Sequence, residues 1–109
     1  MIDWNRVAEL RSEIGADGFA EVLDLFLDEV EGVVMRLGQR PEKLEEELHF
    51  LKGSAWNLGF AAFGAICQDG ERKCAAGQQD LVDVGAVIDC YGRSKVQFMA
   101  RVAEFCDAA

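Results

Sequence analysis

Between Phe19 and Leu37 the apolar residues Phe19, Val22, Leu23, Phe26, Val30, Val33, Val34 and Leu37 recur at steps of 3, 1, 3, 4, 3, 1 and 3. That is the period of an α-helix with one buried side. Asp24, Asp28, Glu29 and Glu31 fill the other side, while Leu25, Leu27 and Met35 widen the apolar surface. A helix of this kind is expected to have neighbours on two sides. The chain has one proline, Pro41, and no β-type alternating runs. Helices are therefore the elements it can build.

The remaining elements follow from their end signals. Asp3 caps a short first helix through about Ile14, and Gly15-Ala16-Asp17-Gly18 breaks it. The second helix is predicted from about Asp17 to Leu37, with Gly38-Gln39-Arg40 as the turn. Pro41 suits the first position of a third helix, where its missing N–H is not needed. Glu42, Glu45, Glu46 and Glu47 favour the positive end of that helix dipole and read as a solvated face. The third helix stops near Gly59. A fourth runs from about Ala61 to Ala76, with Phe63, Ile66, Cys67, Gly70 and Cys74 inward and Gly77 at its end. Asp80 or Asp83 starts a fifth, which turns Leu81, Val84, Ile88, Tyr91, Phe98, Val102 and Phe105 inward and leaves Lys95 in the only polar slot. Long helices joined by short turns predict an all-α, antiparallel four-helix bundle with a short extra N-terminal helix, a single domain over residues 1–109.

Charge and composition narrow the partners. The net charge is -9, which repels phosphate backbones, so no nucleic-acid partner is expected. No run of about 18 apolar residues is present to span a membrane. The Met-Ile-Asp-Trp-Asn start carries no basic segment leading into an apolar one, and a cytoplasmic address is expected. Cys67, Cys74, Cys90 and Cys106 lack the spacing of a structural zinc site and read as reduced, buried thiols.

The candidate site lies in the third helix. His49 is the single histidine, and Lys52, Gly53 and Trp56 follow it at offsets of three, four and seven. Those offsets share one helix face. The core stripe of Leu44, Leu48, Leu51, Ala55 and Leu58 keeps another phase. His49 points roughly 140° from that stripe, Gly53 roughly 180° and Trp56 roughly 120°. The face is thus expected to be exposed. A mid-helix glycine costs about 1 kcal/mol relative to alanine, and an exposed tryptophan is poor for stability. Together they point to a docking face, with Glu45 one turn before His49 and Phe60 adding apolar contact beside Trp56.

Most chemistries are disfavoured. Ser54 sits roughly 140° round the helix from His49 and cannot share a triad with it. Cys67 as a histidine-activated nucleophile needs a cleft that a small bundle hardly offers. Glu45 is the only carboxylate four residues before His49, and no second strong ligand joins them, so no metal site is expected. No glycine-rich phosphate loop or dinucleotide fingerprint is present. An exposed, largely neutral imidazole can, however, attack phosphorus. Lys52 would offset part of the phosphoryl charge, and Gly53 would let a partner's backbone come close.

The segment His49-Phe50-Leu51-Lys52-Gly53-Ser54-Ala55, followed by Leu58-Gly59 and Cys67, resembles the histidine-phosphotransfer (HPt) domains of multistep two-component phosphorelays. Phe19 to Leu37 also resembles that family's second helix. The resemblance implies a four-helix bundle with His49 phosphorylated, Lys52 as charge partner and Gly53 as clearance. It implies a carrier without kinase activity or a cofactor of its own, with magnesium and the acceptor aspartate on the receiver domain of a response regulator. A hybrid histidine kinase is the implied phosphoryl source. Two departures stand out. Trp56 occupies a position where members often have a small or polar residue. After the cysteine, where the family continues to a leucine and a glutamate, Asp69-Gly70-Glu71 follows here, and Gly70 is expected to weaken the inner side of the fourth helix. The alternatives are a non-phosphorylated bundle that docks a response regulator through the Trp56 face and, more weakly, a metal-binding bundle.

Overall fold

A computed structural model describes residues 1–106; residues 107–109 at the end of the predicted domain lie outside it. Asp3 Oδ1 accepts from the backbone N–H groups of Asn5 and Arg6 at 3.1 and 3.2 Å and starts α1, Trp4–Ile14. Gly15, at φ +96°, lets the chain turn at once into α2, Ala16–Arg36. A single 3₁₀ turn, Pro41–Lys43, precedes α3, Leu44–Leu58, so Pro41 opens that turn rather than α3 itself. Gly59 ends α3 in the left-handed region, and α4, Ala61–Ala75, begins two residues later. Asp83 caps α5, Val84–Arg101, by accepting from Ala86 N–H at 3.0 Å. A one-turn α6, Ala103–Cys106, follows.

The described residues form an all-α bundle in which α2 to α5 are the long helices, as the periodicity predicts. No strand is present among them; Ile2 and Phe60 make one isolated antiparallel bridge. Asp3 N–H also donates to Gly59 carbonyl at 2.7 Å. These contacts tie the N-terminus to the α3–α4 turn, the most closely packed helix pair in the molecule. The expected stripe of α3 is buried throughout, from Leu44 to Leu58. Phe19, Phe60, Phe63 and Phe98 are fully enclosed, with the Phe60 and Phe98 rings 5.1 Å apart. Trp4 packs against the core with its ring nearly parallel to those of Phe98 and Phe105, and the Arg101 guanidinium lies 4.7 Å from its centroid.

Four expectations need correction. Leu25 and Met35 face outward, so α2 has less apolar contact than its sequence suggests. Leu81 lies in the 3₁₀ turn Gln79–Leu81 before α5, and Ile88 sits on the outer side of α5; both are exposed. Glu47 is buried, because it points from α3 toward α2, where the Arg36 Nε lies 3.3 Å from its Oε2. Gly70 does not loosen α4. A side chain there would come within 2.9 Å of Leu48 Cδ1, so the missing side chain is what admits Leu48 between the helices.

Candidate functional site

His49 projects from the middle of α3 and its side chain is 70% exposed. Beside it, Gly53 has nothing within 4 Å of where a Cβ would stand. The face is therefore open, as the helical offsets predict. Glu45 is exposed one turn before His49. Trp56 is half out, at 43% exposure, and its other half lies flat on α4: a Cβ at Gly64 would be 2.8 Å from the ring. Phe60 does not belong to this surface. It is fully buried against Tyr91 and Phe98, because the turn after Gly59 directs it into the core.

Packing of α4 on α3 adds a residue that the sequence reading left out. Glu71 Oε2 lies 2.7 Å from His49 Nδ1, and Glu71 Oε1 lies 2.7 Å from Lys52 Nζ. The carboxylate bridges both polar groups of the face. Lys52 foremost, and then His49, hold the Glu71 carboxyl below the usual carboxylate range, against the opposing effect of its partial burial. An ionised carboxylate only accepts hydrogen bonds, so Nδ1 carries the proton that meets it. Nε2 is then the ring nitrogen with the free lone pair. The signal for Glu71 was present in the sequence: Gly70-Glu71 stands where the phosphotransfer pattern has a leucine and a glutamate after its cysteine. Only the leucine is replaced.

The other nucleophile considered is unsuited to such a role. Cys67 is buried, and burial foremost pushes its thiol up to about 12. Ser54 is also buried, on the far side of α3 from His49. A groove of about 670 Å³ runs between α2 and α3, lined by Arg36, Arg40, Lys43, Glu47 and Phe50 among others. His49 does not line it. The imidazole stands on an open helix face, which suits a reaction with a group carried by another protein better than one with an enclosed small molecule.

The exposed imidazole with a lysine and an open glycine on the next turn is the arrangement that His49-Phe50-Leu51-Lys52-Gly53 anticipates, and the structure adds the Glu71 clamp. The Hpt domain family matches residues 21–107 of the chain. The chain belongs to the Hpt family. Among curated proteins and among solved structures nothing matches it. Membership assigns this Hpt domain a phosphotransfer role in phosphorelays, with receiver domains of response regulators as its class of partner and carrier chemistry rather than kinase chemistry. No helix among the described residues is long and apolar enough to cross a membrane.

Proposed function

We propose that this Hpt domain accepts a phosphoryl group on His49 Nε2 from a receiver-domain aspartate and passes it to a second receiver. The observation that carries the reading is the Glu71 clamp on Nδ1 of an exposed histidine. The Nε2 lone pair attacks phosphorus in line. The Nε2–P bond forms as the bond from phosphorus to the aspartyl oxygen breaks, and the aspartate leaves as carboxylate. The Nδ1 proton stays on the ring, where Glu71 stabilises the positive charge that the imidazole acquires. Transfer to the second receiver is the same step in reverse.

The neighbouring residues support this path. Lys52 neutralises Glu71 in the resting state and stands one turn from the imidazole, close enough for its ammonium to offset phosphoryl charge. Gly53 leaves room for the receiver's backbone, and Trp56 and Glu45 supply apolar and polar contacts around the histidine. Magnesium belongs to the receiver, and a hybrid histidine kinase supplies the first phosphoryl group. The test mixes the protein with a receiver-bearing hybrid kinase, labelled ATP and magnesium. Wild type becomes labelled with acid-labile, base-stable phosphate and His49→Gln does not. Label on His49→Gln would assign the site elsewhere.

A further inference from the structure

The outer face of α5 carries an apolar stripe that nothing among the described residues covers. Gly85, Ile88, Gly92, Val96 and Met99 are all exposed, Val96 at 71% and Met99 at 52%. They fall within an arc of roughly 80° on the helix. None of them belongs to the His49 face. A side chain at Gly92 would meet nothing within 4 Å, so no packing inside the molecule explains a glycine in the middle of this helix, at a cost of about 1 kcal/mol relative to alanine.

The spacing has a symmetry of its own. From Gly92, Ile88 and Val96 stand four residues away on either side, and Gly85 and Met99 seven. We infer that this stripe binds a second copy of the same chain, α5 against α5, antiparallel, about a two-fold axis at Gly92. In that register Gly92 meets Gly92, so the two backbones approach closely where no side chain intervenes. Ile88 meets the partner's Val96, and Met99 meets the partner's Gly85, which places a large side chain over a small one at each end. A parallel pair would set Met99 on Met99 and Gly85 on Gly85 and lose that fit. Along one flank of the stripe Asp89 and Arg93 form an ion pair within the helix and, with Gly92, Val96 and Gln97, line a shallow groove. In an antiparallel pair like flanks face each other, so Asp89 of each copy faces Arg93 of the other. The charges are self-complementary. A single helix pair is smaller than the standard interface of about 1,200–2,000 Å², so the dimer is weak and concentration-dependent.

Sedimentation equilibrium over a wide concentration range tests this on the whole chain. Wild type is expected to shift from the 12.0 kDa monomer toward dimer as concentration rises. Val96→Glu, at a position already facing water, is expected to raise the dissociation constant at least tenfold. Asp89→Arg is expected to weaken the dimer, and Asp89→Arg combined with Arg93→Asp to restore it. The inference is overturned if wild type stays monomeric at all concentrations, if Val96→Glu leaves a dimer unchanged, or if the double charge swap is no better than the single one. It is equally overturned if wild type is monomeric while α5 resonances move on adding a receiver domain, which would assign the stripe to that partner. The His49 labelling assay is independent of all these outcomes.

Discussion

On the outward side of α3, a side chain added at Gly53 would meet nothing within 4 Å; on the inward side of α4, one added at Gly64 would press on the Trp56 ring and one at Gly70 on Leu48 Cδ1. The two sides belong to one helix pair and use glycine for opposite reasons. At Gly64 and Gly70 the absent side chain is a socket, and the space it leaves is filled by α3. At Gly53 the absent side chain leaves open solvent next to an exposed imidazole. A helical glycine thus marks close packing when its surroundings are full and leaves open space when they are empty. Sequence alone does not separate the two cases, because both read as a glycine inside a helical period.

This contrast can be broken at either side. The largest effect is expected at the inner one. Gly70→Val overfills the Leu48 socket and should lower stability by about 2 kcal/mol, read as a drop in the denaturation midpoint with an unchanged slope; an unchanged midpoint would show that Leu48 repacks freely. Next is the clamp between the two sides. Glu71→Gln keeps the volume but removes the charge, and should slow receiver-dependent labelling about tenfold, the equivalent of about 1.4 kcal/mol for one charge-assisted hydrogen bond. A rate equal to wild type would remove Glu71 from the mechanism. Gly53→Ala should do the reverse of Gly70→Val. It should raise stability by up to about 1 kcal/mol through helix propensity while slowing transfer, because the added methyl enters the space left for the receiver. A variant that is more stable and equally fast would make Gly53 an incidental glycine.

The smallest effect concerns pH. The Glu71 carboxyl titrates lower in the folded protein than in the unfolded chain. Its contribution to stability is therefore complete above the ordinary carboxylate range and is lost as pH falls through its lowered folded value. Wild type should lose slightly more stability than Glu71→Gln on acidification through that range, measured by denaturant titration at a series of pH values. Parallel losses would mean that the clamp orients His49 without stabilising the fold.

Much of the fold was legible in the sequence because the relevant signals are local. The stripe of α3, the Asp3 cap, the choice of Asp80 or Asp83 for the start of α5 and the glycine at the end of α3 each depend on residues within a turn or two of one another. The exposure of His49, Gly53 and Trp56 followed from the same helical count. The errors fall where a residue's fate depends on another helix. Leu25 and Met35 widen the apolar surface of α2 and Ile88 keeps the period of α5, yet no helix among the described residues covers them. Glu47 looked like one more charge on a solvated face, but α2 lies over it with Arg36 at hand. Phe60 looked adjacent to Trp56 along the chain, and the turn at Gly59 sends the two in different directions.

The sequence by itself determined the helices and which face of α3 carries the histidine, because hydrophobic period and capping chemistry act over a few residues. Only the tertiary structure decided that Glu71, 22 residues further on, holds His49 Nδ1 and leaves Nε2 free. That contact depends on how far α4 slides along α3 before its side chains lock. The slide is set by Leu48 in the Gly70 socket and Trp56 on Gly64, a fit between two surfaces that neither helix contains alone.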